Sequence, residues 1–185
     1  GQKLNFVIPS NICPSIVAAA SAANAKIIAV DVEKETGLPS DLAFKKAVVS
    51  ADGPGIIMPT YLYGFERDYS KSIDAAKKKG WFVLENDCYG TGAARKNFNV
   101  GSLGGDAVLV SFGNGKPIDA GGGGALVSDD TELIQELRVK LESYPVLNRD
   151  YIKIEDQLIG VRRLLQSGKI NSPEMCGIYE RFLPY

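Results

Sequence analysis

One lysine stands in a loop that otherwise holds small and turn-forming residues. Lys116 ends the stretch "SFGNGK", Ser111 precedes it by five residues, and Gly121–Gly124 follow. A lysine that is desolvated or lies beside another cation becomes a nucleophile towards carbonyl carbon, which is the chemistry of a Schiff base. Ser111 offers a hydroxyl to an anion, and the glycines allow another backbone segment to approach closely. The alternative is an ordinary solvated loop lysine, and loop chemistry alone leaves both interpretations open.

The composition restricts the chemistry that the chain can perform. The 185 residues contain no histidine, so a Ser-His-Asp triad, a Cys-His pair and a histidine-ligated zinc are excluded within them. The three cysteines match no metal-ligand spacing, which favours free thiols in a reducing, cytoplasmic compartment. A net charge of −1 predicts no attraction to nucleic acid, and no apolar run reaches the about 20 residues of a membrane span. Proton transfer must therefore use Lys, Asp, Glu, Tyr, Cys or a bound cofactor.

Strand-like and helix-like segments alternate along residues 1–145. This alternation predicts an α/β fold, a mainly parallel sheet flanked by helices, with a helical C-terminal segment at 146–185. Ligands of such sheets bind beyond the carboxyl ends of the strands. Three polar clusters follow predicted strands and could meet at that edge: Pro59–Gly64, Glu85–Tyr89 and Ser111–Lys116.

Four stretches of the sequence resemble the DegT-type sugar aminotransferases, fold type I enzymes that use pyridoxal phosphate. The stretch "SFGNGK…GGGGALVSDD" is similar to the family's cofactor-lysine segment, and "VIPSNICPSIVAAASAANAKIIAVDV" to the segment after its first cofactor loop. The other two are "IIMPTYLYGFERDYSKSIDAAKKKGWFVLEN" and "GAARKNFNVGSLGGDAVLVSF". The resemblance covers about residues 5–142 and implies the central part of the family's large domain.

The resemblance implies roles for five side chains. Lys116 corresponds to the lysine that holds the cofactor, and Ser111 to a serine that contacts the cofactor phosphate. Asn86 stands where the family has an aspartate that pairs with the protonated pyridine nitrogen. Tyr89 takes the position of a polar residue near the cofactor's 3-hydroxyl group. Cys13 replaces an aromatic residue that stacks on the cofactor ring in many members.

The asparagine is the departure with the clearest chemical consequence. An aspartate keeps the ring nitrogen protonated, whereas an asparagine forms a hydrogen bond without charge, so we expect a weaker electron sink. Asp87 lies one residue later, and a one-residue step along a strand points its side chain to the other face. For Tyr89 the alternative is a half-buried aromatic residue at a strand end.

The resemblance implies transfer of an amino group from a donor, through pyridoxal phosphate, to a keto sugar carried on a nucleotide. It also implies a homodimer, or pairing with a partner chain, because the family's N-terminal phosphate loop and most of its small domain have no counterpart here. One alternative is a non-catalytic binding or assembly module, which Asn86 and Cys13 favour. Another is a different nucleotide-binding domain with Gly121–Gly124 as its phosphate loop, although no GxxxxGK[ST] or strand–GxGxxG–helix pattern supports it.

Overall fold

A computed structural model describes residues 3–65, 67–90 and 104–144, together with residues 160, 164, 167 and 168. The chain divides into two compact units, Gly1–Glu136 and Leu137–Tyr185, and the sheet belongs to the first. The predicted division at residues 145 and 146 stays a prediction. The helical C-terminal segment predicted over residues 146–185 lies almost entirely outside the described residues.

The first unit is built on one six-stranded sheet with the order β2-β1-β3-β4-β5-β6. The strands are β1 Asn5–Pro9, β2 Lys26–Val30, β3 Gly55–Ile57, β4 Phe82–Asn86, β5 Ala107–Ser111 and β6 Gly124–Val127. The first five strands are parallel to one another, and β6 runs antiparallel to β5. A parallel return needs a long crossover, usually a helix, and the segment between β5 and β6 contains none. The predicted α/β fold with a mainly parallel sheet is confirmed.

Four helices accompany the sheet: α1 Pro14–Ala22, α2 Asp41–Ser50, α3 Ser70–Lys78 and α4 Thr131–Glu142. Pro14 opens α1, where a missing amide hydrogen costs nothing. Asn24, in the left-handed region at φ 53°, follows the end of α1, and Gly80 at φ 66° does the same after α3. The amide of Leu133 in α4 donates to the Asp130 carboxylate at 2.9 Å. Local chain chemistry therefore sets these helix ends.

The two faces of the sheet carry separate apolar cores. One contains Val7, Ile57 and Val83 of the strands and packs against α2 and α3. The other contains Phe6, Ile8 and Met58 with Ala20 of α1. Successive strand residues alternate between the two faces. Leu84 packs on the second core, so Asn86, two residues later, faces the same side as α1.

Candidate functional site

A cavity of about 520 Å³ opens where the parallel strands end. It is bordered by the segments that follow β1, β3, β4 and β5 and by the first residue of β6. All five side chains predicted from the sequence line it: Cys13, Asn86, Tyr89, Ser111 and Lys116. Each of the three polar clusters contributes to the wall, so they do meet at one edge. The volume lies within the range of about 300–1,000 Å³ that is typical of small-molecule sites.

Asn86 lines this cavity and carries a buried acceptor that has no partner in the described structure. Its backbone is fixed on both sides, since its amide donates to the Pro59 carbonyl at 2.8 Å and its carbonyl accepts from the Tyr61 amide at 3.1 Å. The residue is 6% exposed, and its Oδ1 has no hydrogen-bond partner within the described structure. A buried acceptor left unpaired costs about 1–3 kcal/mol. The site therefore favours a ligand that brings a donor to this oxygen, and a protonated pyridine nitrogen is such a donor.

The amine of Lys116 lies over the ring of Tyr89, with Nζ 3.5 Å from the ring centroid. The lysine follows a turn in which Gly115 has φ 76°, and its own amide donates to the Gly113 carbonyl at 3.1 Å. The Gly115 amide in turn donates to the Asp119 carboxylate at 3.0 Å. The turn directs the lysine side chain to Tyr89, in the segment that follows β4.

Ser111 ends β5 and pairs with Gly124, the first residue of β6. Its Oγ accepts from the Gly113 amide at 3.3 Å, which leaves the hydroxyl hydrogen available to an oxygen of a ligand. A Cβ on Gly124 would lie 2.6 Å from the Val110 carbonyl oxygen, so only glycine allows this approach of the two strands. The close approach predicted for the glycine run is confirmed at this position.

Two cysteine thiols line the cavity in different environments. Cys13 precedes α1, and its Sγ is 3.1 Å from the Ser15 hydroxyl oxygen. Hydrogen bonds from Ser15, and to a smaller extent the charge of Lys116, hold the pKa of Cys13 below its ordinary value. Burial raises the pKa of Cys88, against the opposing effect of Lys116. Cys88 falls in the predicted Glu85–Tyr89 cluster, although no sequence pattern indicated it as a site residue.

Tyr63 also lines the cavity, although no sequence pattern predicted it as a site residue. It is 60% exposed and has φ 59°, an uncommon backbone conformation for a residue with a side chain. A Cβ on Gly37 would lie 3.8 Å from the Tyr63 ring, which is an ordinary contact distance. The ring therefore lies beside the loop that contains Gly37. Nothing in the sequence around Leu62, Tyr63 and Gly64 predicted this backbone conformation.

The acidic residues near the end of β4 do not line the cavity. Glu85 accepts from the Tyr61 hydroxyl at 3.0 Å and from the Gly105 amide at 2.8 Å. Asp87 is buried, and its amide donates to the Leu109 carbonyl at 2.9 Å. Asn86, and not Asp87, is therefore the side chain that strand β4 offers to a ligand.

No group of three or more histidine, cysteine or acidic side chains in the described ranges is arranged to hold a metal ion. No helix in the same ranges is both long enough and apolar enough to cross a membrane.

The fold is that of the fold type I aminotransferases, a class that depends on pyridoxal phosphate. The chain belongs to the DegT/DnrJ/EryC1/StrS aminotransferase family, whose model matches residues 1–163. The crystal structure of S. venezuelae DesV is 26% identical with a TM-score of 0.66 and covers 80% of this chain. That of 3-amino-5-hydroxybenzoic acid synthase is also 26% identical, with a TM-score of 0.64 over 82% of the chain.

Curated relatives include enzymes named for amino sugars. A GDP-perosamine synthase of Caulobacter vibrioides is 34% identical over 45% of this chain. A dTDP-3-amino-3,4,6-trideoxy-alpha-D-glucose transaminase of Streptomyces venezuelae is 27% identical over 75% of it. These alignments span 22% and 36% of the respective relatives, and the DesV match spans 39% of that chain. The chain therefore corresponds to well under half the length of each.

Proposed function

We propose that this chain forms the cofactor-binding core of an aminotransferase that aminates a keto sugar carried on a nucleotide. The observation that carries the proposal is the meeting of Lys116, Ser111 and the unpaired Asn86 Oδ1 in one cavity. Membership of the family supports pyridoxal phosphate as the cofactor. The relatives named for GDP-perosamine and a dTDP-amino sugar support a nucleotide-linked sugar as the acceptor.

When bound, pyridoxal phosphate supplies an aldehyde carbon and an electron-withdrawing ring, on which amino transfer depends. The Nζ of Lys116 would hold the cofactor at its aldehyde carbon, and the same amine would hold and return the proton exchanged at the substrate carbon. Its loop reaches the cavity from the end of β5, beside the segment that follows β4. This position of the loop would keep the Lys116 amine close to the reacting carbon during the whole reaction.

The other wall residues would bind and orient the cofactor. Asn86 Oδ1 would accept a hydrogen bond from the ring nitrogen, and the Ser111 hydroxyl would donate to the phosphate. Tyr89 would stand beside Lys116 in the cavity wall, and Cys13 would lie beside the ring, where the family more often has an aromatic residue. A small sulfur side chain covers less of a ring than an aromatic side chain does, so we expect looser cofactor binding than with an aromatic residue at this position.

We infer a homodimer or a pairing with a partner chain, as the resemblance to the family implies. Apolar side chains on the surface of the first unit support association, among them Leu42, Val49 and Phe65. We expect an interface of more than about 1,000 Å² in total. The amino donor and the sugar nucleotide would be soluble metabolites, and we expect the protein to work in the cytoplasm.

A non-catalytic module is the second candidate. The amide of Asn86 in place of a carboxylate favours it, because the ring nitrogen would lack a charged partner. The remaining alternative is a different nucleotide-binding domain with Gly121–Gly124 as its phosphate loop, and the structure does not favour it. Gly121–Gly124 lead into a strand and not into a helix, so they cannot present a helix N-terminus to phosphate.

A cofactor titration separates the two remaining candidates. We expect the 185-residue chain to develop a visible absorbance band with pyridoxal phosphate, and borohydride to fix the cofactor on the peptide that contains Lys116. Lys116→Ala should lose both signals. The control Lys46→Ala removes an exposed lysine of α2 and should keep them. Equal labelling of many lysines, or no band at all, would favour the non-catalytic module.

A further inference from the structure

The contact between Lys116 and Tyr89 is the best-defined interaction of the amine. The distance of 3.5 Å from Nζ to the ring centroid lies well inside the about 6 Å over which an ammonium is attracted by an aromatic face. No hydrogen bond or ion pair joins this Nζ to another residue in the described part of the chain. Tyr89 is 41% exposed and lines the cavity, so it is not a core residue.

Both partners of this contact are held by the backbone around them. Tyr89 follows Asp87, whose amide donates to the Leu109 carbonyl, so the segment after β4 continues along β5. Gly64 has φ 75°, and a Cβ there would lie 3.6 Å from the Tyr89 carbonyl oxygen, so the turn after β3 closes on the tyrosine. The Gly113–Lys116 turn fixes the other partner. The fold thus brings the ring and the amine together from two separate loops.

We propose that Tyr89 is a positioning residue that holds the Lys116 ammonium in the cavity with the face of its ring. The resemblance to the family assigns a different role, in which the phenol oxygen approaches the cofactor's 3-hydroxyl. The geometry points to the ring, because the amine lies over the centroid. This inference rests on the proposed function, since it concerns how the amine is prepared to capture the cofactor aldehyde.

Preorganisation of the Lys116 amine is the physical reason for this role of the Tyr89 ring. A lysine has a long, flexible stem and loses much rotamer freedom when its amine is confined to one place. A ring that already confines the amine removes part of that loss from the capture step, in which the ammonium first gives its proton to water and the aldehyde oxygen then leaves as water. Replacing the ring with an aliphatic side chain should therefore slow capture on the order of tenfold, whereas a ring without the hydroxyl should preserve it. A role through the hydroxyl predicts the opposite for the second change.

Four variants and one spectrum test the contact without any cofactor. In protein labelled with 13C-lysine, the ε-methylene protons of Lys116 should be shifted upfield by the ring current, and Lys116→Arg identifies the signal by removing it. The conservative variant Tyr89→Phe should retain the shift, and Tyr89→Leu should abolish it. Tyr63→Leu is the matched control, because it removes another exposed tyrosine of the same cavity and should leave the shift in place.

The rate of attachment of pyridoxal phosphate tests the role. Tyr89→Phe should attach the cofactor at close to the wild-type rate, and Tyr89→Leu about tenfold more slowly. Tyr89→Met, with far-ultraviolet circular dichroism of each variant, guards against a misfolded leucine variant. An unshifted lysine in the wild type, or a phenylalanine variant as slow as the leucine variant, overturns the proposal. If the wild type binds no cofactor but shows the shift, the proposed function fails and the ring contact stands.

Discussion

Asn86→Asp is the change that probes the site most deeply, because it restores the residue of the family's pattern at a buried position. A neutral hydrogen bond contributes about 0.5–1.5 kcal/mol and one to a charged group about 1.5–3 kcal/mol. A carboxylate opposite a protonated ring nitrogen should therefore strengthen cofactor binding by about 1 kcal/mol, which is roughly fivefold. Transamination should rise as well, because the charge keeps the ring nitrogen protonated.

The same substitution should destabilise the protein before the cofactor binds. The side chain is 6% exposed and its Oδ1 has no described partner, so a carboxylate there loses water without gaining a donor. Burial then raises the pKa of the new carboxyl group above its unfolded value, although the charge of Lys116 opposes this. Because the folded pKa is the higher one, the stability of the variant should fall as the pH rises through it.

The assays are a cofactor titration followed by absorbance, the rate of the half-reaction with an amino donor, and urea unfolding at several pH values without cofactor. Asn114→Asp is the control, since it makes the same chemical change at an exposed position of the lysine loop. An unchanged or slower half-reaction with intact cofactor binding would refute the reasoning. It would show that Asn86 does not face the ring nitrogen, or that the reaction proceeds on an unprotonated ring.

Three further predictions concern packing, thiols and assembly. Gly124→Ala should destabilise the fold by about 1–3 kcal/mol in thermal unfolding, because its Cβ meets a main-chain oxygen of β5, whereas Gly122→Ala has open space around it and should change little. Cys13 should react with maleimide at a lower pH than Cys88, since its pKa is lowered and that of Cys88 is raised; equal pH profiles would contradict these assignments. Light scattering at tens of micromolar should show a species larger than a monomer, and a clean monomer would count against the inferred association.

The sequence was sufficient for the order of the elements and for the location of the site. Runs of β-branched residues such as those around Ile27 alternate with helices that Pro14 and Gly80 delimit, so local chemistry predicts both. A parallel sheet then places the segments after its strands at one edge, which brought the polar clusters together. The five candidate side chains line one cavity for this reason, while their roles stay predictions.

Other features depend on contacts between distant parts of the chain, and no local pattern reports them. The unpaired Oδ1 of Asn86 is known only when every neighbour of that atom has been placed. The approach of Lys116 to the ring of Tyr89 joins two loops whose side-chain directions the sequence leaves open. Tyr63 adopts a left-handed backbone conformation that a residue with a side chain normally avoids. The surrounding structure must therefore stabilise it.

The central claim is that the cavity at the carboxyl edge of the sheet holds pyridoxal phosphate through Lys116. A crystal structure of the chain with this cofactor tests it most directly. We predict continuous electron density from the Lys116 Nζ to the cofactor, the ring nitrogen within about 3.2 Å of Asn86 Oδ1, and the phosphate at Ser111. Cofactor bound elsewhere, or in the cavity with its ring nitrogen away from Asn86, would contradict the account.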